Sequence, residues 1–285
     1  SIDGGTDFHE TDIKGTYVEP YSVLSVTPLT GPTKGRTNIT VITSGLKQMA
    51  YVCMFGSLYR NAIVINSTSL FCMSPEYSEF SFGGKVNFNI LPKDGKTGSR
   101  NMKNANNERF TVTPHFSFTY YPDNVIERVI PNVIPTIGGT HLNIVGSNFV
   151  ASSNLMCRFN GHLNVPATYI RSSLIRCLAP RMEDDEAIVE VSNNAHDFSS
   201  NDIILKLHPP IVIKSISPSR GPLNGNTKVI VNVENTHVHR DLFCRFGSVT
   251  VEAHFVSTQK ISCMTPPSKV LKRVSVEVSA NNVDF

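Results

Sequence analysis

Cys157-Arg158-Phe159-Asn160-Gly161, answered by Cys177-Leu178-Ala179-Pro180, is the stretch on which the reading of this chain turns. It occurs three times. An earlier copy runs Cys53-Met54-Phe55-Gly56-Ser57 to Cys72-Met73-Ser74-Pro75, and a later one runs Cys244-Arg245-Phe246-Gly247-Ser248 to Cys263-Met264-Thr265-Pro266. These are all six cysteines of the 285 residues. An internal period decides architecture before local propensity does, because each copy is one supersecondary unit. Two cysteines per copy at one spacing read as one disulfide per repeat: Cys53 with Cys72, Cys157 with Cys177, Cys244 with Cys263. Zinc and redox sites call for Cys-x-x-Cys pairs or Cys/His clusters, which the sequence lacks. Six buried free thiols in a cytosolic protein form the competing reading. A bridge closing a ring of this size contributes about 3 kcal/mol in the chain-entropy model. Such bonds persist outside the cytosol, so the protein is expected at the cell surface or secreted.

A second frame, Pro-x3-Pro-x2-Gly-x-Thr, precedes each cysteine unit and starts at Pro28, Pro131 and Pro218. Alternating apolar residues follow it: Ile39/Val41, Leu142/Ile144 and Val229/Val231. Period-2 alternation after Gly and Pro is a half-buried strand leaving a turn. The frames lie 131 − 28 = 103 and 218 − 131 = 87 residues apart. Beyond each second cysteine a further strand is expected, ending in Asn-rich turns and an Asp-Phe pair. Ala187 to Phe198 matches Val274 to Phe285, again 87 apart. Asn tolerates left-handed backbone, so these Asn pairs read as tight turns. Tyr120-Tyr121-Pro122 and His208-Pro209-Pro210 read as stiff joints.

Many short strands with turn signals between them predict an all-β chain of tandem sandwiches. Residues 1–20 read as the tail of a preceding repeat, since Asp3-Gly4-Gly5-Thr6-Asp7-Phe8 resembles the Asn-turn segment. The repeats are expected at 21–121, with a long insertion at 92–109, at 122–209, and at 210–285. The last lacks a counterpart of the closing strand Ile203–Leu207, so an open sheet edge is expected there. Antibody-type domains are excluded, because Trp is absent and the cysteines are close.

Composition is that of ordinary globular protein: 40% hydrophobic, 17% charged, 18 Gly and 17 Pro. A net charge of +3 is too mild to imply nucleic acid or membrane attraction. No apolar run approaches a membrane span and Ser1 opens no signal peptide, so a membrane anchor or targeting signal is expected outside this stretch.

Candidate sites are few. Lys93, Lys96, Arg100, Lys103 and Arg109 crowd the 92–109 insertion, which reads either as a solvated hairpin or as an interaction or protease-sensitive loop. Glu183-Asp184-Asp185-Glu186 reads as a solvated acidic face, with calcium as the sharper reading. His237-x-His239 lacks a third ligand and reads as a loop pair. Asn38-Ile39-Thr40 and Asn66-Ser67-Thr68 are glycosylation sequons. No nucleophile-elbow, zinc-protease or phosphate-loop pattern occurs, so no catalytic residue, metal or cofactor is expected and the chain reads as a non-enzyme.

The Pro/Gly/Thr frame, Gly146-x-x-Phe149, Cys-x-Phe-Gly, Cys-x-x-Pro and Val-x-Val-Ser-x-Asn-x-x-Asp-Phe together resemble IPT/TIG domains. The resemblance runs over nearly the whole chain; the first repeat departs, with Gly45 alone marking the Gly-x-x-Phe step. It implies immunoglobulin-like early-set sandwiches, as in plexins, the hepatocyte growth factor receptor, fibrocystin-like proteins and social-amoeba adhesion proteins. The function it implies is a receptor or adhesion ectodomain segment. Its repeats would form a semi-rigid stalk that presents loops and sheet edges to a protein partner: a cell-surface receptor, a ligand or another copy. A cysteine-free branch of the family serves as dimerisation domains of transcription factors. The six patterned cysteines and a pI of about 8.5 weigh against that reading and against nucleic acid. A carbohydrate-binding accessory module would want exposed aromatic platforms, and the chain has no Trp.

Overall fold

The computed structural model describes residues 21–77, 83–93, 116–236 and 241–285, and every regular element among them is a β-strand. Two compact units are formed: Ser1–Leu29, Asn38–Met73 and Asn87–Ser117 make one, and Thr30–Thr37, Ser74–Val86 and Phe118–Phe285 make the other. The expectations placed on residues 1–20 lie outside the described residues.

The first repeat contributes β1 (Val23–Thr27), β2 (Thr30–Pro32), β3 (Asn38–Thr43), β4 (Tyr51–Phe55), β5 (Leu58–Asn61), β6 (Ile63–Asn66), β7 (Ser69–Met73), β8 (Gly84–Pro92) and β9 (Phe116–Tyr121). In the first unit β1, β3, β7 and β6 form a sheet in that order, and β4 pairs antiparallel with β5 and β8. The alternation in β3 does what its period demands: Ile39, Val41 and Thr43 point inward while Asn38, Thr40 and Ile42 face out. Ile39, Val41, Cys53, Phe55, Leu70, Cys72 and Ile90 are fully buried and build the core. In the second unit β2 lies parallel to β9.

The second repeat runs through β10 (Val125–Ile130), β11 (Val133–Pro135), β12 (His141–Ser147), β13 (Met156–Phe159), β14 (Leu163–Arg171), β15 (Leu174–Leu178), β16 (Glu186–Ser192) and β17 (Ile203–His208). The long β14 joins its two faces. The first half, Leu163 to Pro166, pairs with β13, and the second half, Ala167 to Arg171, pairs with β15. The strand order is therefore β10-β12-β15-β14-β13-β16-β17-β11, with β11 parallel to β17. Cys157 on β13 and Cys177 on β15 meet across β14 inside the core formed by Leu142, Ile144, Phe159, Ile175, Val189 and Leu205. Gly146 is required where it stands, because a Cβ there would lie 2.0 Å from the Val125 carbonyl oxygen and 2.8 Å from the Phe149 ring.

The third repeat repeats the plan with β18 (Val212–Ser217), β19 (Lys228–Glu234), β20 (Leu242–Phe246), β21 (Val249–Ser257), β22 (Lys260–Met264) and β23 (Val276–Ser279). β21 plays the part of β14, pairing with β20 and then β22. Among the described residues β23 pairs only with β20, whereas its counterpart β16 pairs with both β13 and β17. The molecule is thus all-β, a tandem of immunoglobulin-like sandwiches, as the strand spacing and turn signals predict.

Gly45 does not fill the role expected of it. It is exposed, and open space surrounds its Cβ position. The residue that stands where Gly146 stands is Thr43, whose N–H donates to the Thr68 carbonyl as that of Gly146 donates to Ser173. Thr43 is buried there with its hydroxyl unpaired, a local cost that the second repeat avoids.

Candidate interaction site at the inter-repeat joints

Two joints of the second unit carry the same construction. At the end of β16 the chain enters the turn Asn194-Ala195-His196-Asp197, which Ala195 completes in the left-handed region at φ 62°. The Asn194 side-chain oxygen accepts from the Ser192 hydroxyl at 3.0 Å and from the His196 and Asp197 N–H groups at 3.0 and 2.8 Å. That is the local Asx bonding for which Asn is favoured in turns. Its amide then reaches out of the repeat, donating to the Thr30 carbonyl at 2.7 Å and to Asp197 Oδ2 at 2.8 Å. The same carboxylate oxygen accepts from the Thr37 hydroxyl at 2.8 Å. Thr30 and Thr37 belong to the Pro-x3-Pro-x2-Gly-x-Thr frame of the repeat before.

The turn Asn281-Asn282-Val283-Asp284 does the same one period later. Asn282 sits at φ 59°, and Asn281 Oδ1 accepts from Ser279 Oγ and from the N–H groups of Val283 and Asp284. The Asn281 amide donates to the Val133 carbonyl at 2.9 Å and to Asp284 Oδ2 at 2.7 Å. Asp284 Oδ2 accepts from the Thr140 hydroxyl at 2.7 Å. Each joint is therefore a latch of two bonds between repeats, one from an amide to a backbone carbonyl and one from a hydroxyl to a carboxylate. A bond to a charged acceptor contributes about 1.5–3 kcal/mol and a neutral one about 1 kcal/mol. Thr37 and Thr140, at 0% and 1% exposure, are sealed beneath the turns they hold.

The linkers differ more than the latches. At the first joint the Tyr121 hydroxyl is buried without a hydrogen-bond partner, and burial together with the Asp197 and Asp123 carboxylates pushes its pKa up. It therefore stays neutral throughout the physiological range. Lys34 approaches Asp123 at 3.8 Å on an exposed flank, an ion pair of little weight. At the second joint His208 Nδ1 lies 2.8 Å from the Pro209 carbonyl.

A clamp stands behind each turn. Arg158 grips Glu190 through Nε and Nη2 at 2.7 and 2.6 Å, with its guanidinium 3.8 Å from the centre of the Phe198 ring. Arg245 bonds Glu277 at 2.6 Å and stacks 4.0 Å from Phe285. The Arg245 hydrogen bond and charge hold the Glu277 carboxyl below its ordinary value, outweighing the opposing desolvation. The Arg of Cys-Arg-Phe thereby orients the Phe that follows the latching Asp.

Sulfurs of Cys53 and Cys72, Cys157 and Cys177, and Cys244 and Cys263 are paired, with Cα atoms 6.3, 6.4 and 6.3 Å apart. Asn38 and Asn66 are both exposed, on β3 and β6. Lys93 is exposed and donates to Asn61 Oδ1 at 3.0 Å, while Lys96, Arg100, Lys103 and Arg109 lie outside the described residues, as do His237 and His239. The acidic run is dispersed: Asp184 accepts from Asn160 and Glu183 faces Arg181. Among the described residues no three His, Cys, Asp or Glu side chains converge as a metal site. The latch was the part that residue-by-residue reading missed. Its signal was the Asn-x-x-Asp of both turns at the 87-residue period, read only as turn chemistry.

The IPT/TIG domain family model matches residues 21–112, 125–204 and 210–285. This chain belongs to the IPT/TIG family. Its repeats are immunoglobulin-like modules that support and bind and do not catalyse. Plexin-A2 of Mus musculus is 27% identical over 181 residues, covering 60% of this chain and 8% of that protein. The chain thus spans a small fraction of that relative's length. Two solved structures of the Plexin A4 full extracellular region are also similar. One, of domains 1 to 10, shares 18% identity and covers 96% of this chain and 25% of that one, at a TM-score of 0.44. The other, of domains 1 to 8, shares 17% identity and covers 92% and 32%, at 0.35.

Proposed function

We propose that these IPT/TIG repeats are a segment of an extracellular receptor or adhesion ectodomain, a semi-rigid stalk that presents loops and sheet edges to a protein partner. The repeats divide at 21–121, 122–209 and 210–285, with the basic residues of the 92–109 insertion as candidate partner contacts of the first. One observation carries the reading: the same two-bond latch recurs at both joints, and a chain of independent beads would have no use for it. A linker alone leaves neighbouring domains free to swing, whereas a bonded joint restricts them to a narrow range of orientations. Disulfide-paired cysteines and two exposed sequons support the extracellular location. Among the described residues no helix is long and apolar enough to cross a membrane.

Small-angle scattering on the protein and on the Asp197→Ala/Asp284→Ala variant tests the stalk. The parent should fit a narrow range of inter-repeat orientations, and the variant a broader one. A parent as broad as the variant removes the basis for a stalk. Secretion from a glycosylating host should add a glycan at Asn38 and another at Asn66, each read as a mass loss on deglycosylation. Asn38→Gln and Asn66→Gln should each abolish one of the two losses.

A further inference from the structure

The two latches use one receiver, and the third repeat carries it a third time. In the first repeat the Arg36 N–H donates to the Ser74 carbonyl at 2.9 Å, the Ser74 N–H to the Thr37 carbonyl at 2.9 Å, and the Thr37 N–H to Ser74 Oγ at 3.0 Å. In the third the Asn226 N–H donates to the Thr265 carbonyl at 2.9 Å, the Thr265 N–H to the Thr227 carbonyl at 2.9 Å, and the Thr227 N–H to Thr265 Oγ1 at 3.0 Å. Gly35, Gly138 and Gly225 share φ values of 73°, 74° and 73°. A Cβ at any of them would press on the backbone that follows the second cysteine of the repeat. Thr227 is accordingly held as Thr37 and Thr140 are. The difference is cover: Thr227 is half-exposed, while the other two are sealed by an Asn-x-x-Asp turn. Arg220, which corresponds to Thr30 and Val133, is exposed.

We infer that the end face of the third repeat, centred on the Thr227 hydroxyl and the Arg220 carbonyl, is a docking surface for the Asn-x-x-Asp turn of another IPT/TIG repeat. The occupant follows from continuity with the two interfaces already built. The receiver offers one hydroxyl donor and one carbonyl acceptor, and the matching ligand is an Asn amide beside an Asp carboxylate on one turn. A second copy of this chain is the weaker occupant, because its turns at Asn194 and Asn281 are already seated within it. The inference rests on the latch geometry and on the stalk reading, not on the identity of a partner.

Phe285 corresponds to Phe198, so a chain in which a second copy of residues 199–285 follows Phe285 continues the register and supplies both a closing strand and a new turn. Trypsin cleavage after Arg220 is the readout, since Arg220 is exposed in the parent. The extended chain should be cut there about tenfold more slowly, the equivalent of roughly one charge-assisted bond. Thr227→Val, and Asn281→Ala in the added copy alone, should each restore much of the cleavage. Thr227→Ser, which keeps the hydroxyl, should not. Protection that survives both variants would come from the closing strand alone and would overturn the docking surface, as would no protection or an added copy that fails to fold. Thr140→Val, measured beside them by scattering, separates the two readings. A silent Thr140→Val strikes the stalk, whereas silence at Thr227 alone strikes only this surface.

Discussion

The first and second repeats share their inward rows and disagree on their outward ones. Phe55 and Phe159 occupy the same core position beside a buried cysteine, both at 0% exposure. Across the outer face of the β1-β3-β7-β6 sheet, one row reads Thr40, Phe71, Ile63; its counterpart in the second repeat reads Asn143, Arg176, Thr168. At the bulge, Leu24, 61% exposed, stands where the second repeat has Glu127. Beside the cysteine, Met54 opposes Asn89 where Arg158 opposes Glu190. The fold therefore depends on the inward set and the bridge, and the outward faces are free to acquire different roles. A sheet face free of charge, as in the first repeat, has lower desolvation cost on contact with another surface.

The largest effects should fall on what the repeats share. Phe55→Ala and Phe159→Ala should each cost about 3–5 kcal/mol, read by hydrogen exchange of the affected repeat. Equal losses keep the cores equivalent. A loss well under half as large in either one would mean that its pocket collapses around the gap and that the cores are not the same. Next come the bridges. Replacing Cys53 and Cys72 together by Ala, or Cys157 and Cys177, should cost about 3 kcal/mol in each case, because the closed loops of 19 and 20 residues are nearly equal. Denaturant titration of the two double variants would break the comparison if one proved tolerant and the other did not.

How much of this was legible in the chain follows from the range of each interaction. The strands of the second repeat were readable because alternation such as Leu142/Ile144 is local and the turns between them carry Gly, Pro and Asn. The three-fold tandem was readable because the cysteine unit copies itself. The joints were not. The Thr37–Asp197 and Thr140–Asp284 bonds connect residues 160 and 144 positions apart, and the repeated pattern at each end is already accounted for by turn chemistry. Thr of the Gly-x-Thr frame read as part of the turn that a strand leaves, and Asn194 as a turn former. Both are true, and both leave the second use of each side chain unstated. Gly45 misled for a related reason. The constraint on Gly146 is the Val125 carbonyl from a neighbouring strand, which no motif in the first repeat could reveal.

Smaller effects should come from the clamp, where the repeats differ. Arg158→Met removes a two-point bond to Glu190 and the contact with Phe198, and makes the second repeat resemble the first at Met54. It should cost about 1–2 kcal/mol by thermal unfolding, because the pair is only partly buried. The reverse change, Met54→Arg with Asn89→Glu, should restore part of that pairing in the first repeat, while Met54→Arg alone should gain nothing. A gain from the single change would show that stem packing, not the charge pair, sets the value of this position.

The smallest effect is a pH dependence of the third repeat's clamp. Glu277 has its carboxyl held below the ordinary value of 4.5, chiefly by the Arg245 hydrogen bond. A group whose folded pKa is depressed contributes stability that is fully present above the unfolded value and is lost as pH falls through the folded one. The clamp of the third repeat should therefore hold at neutral pH and weaken only below 4.5. Exposure of both side chains to water keeps the size of the effect small. A carboxyl-carbon NMR titration of Glu277 should find its midpoint below 4.5 in the parent and raised toward that value in Arg245→Met. An unmoved midpoint in Arg245→Met would assign the depression to something other than the guanidinium. The clamp would then act only through the stacking of Arg245 on Phe285, and the contrast with Met54 would be one of packing, not of charge.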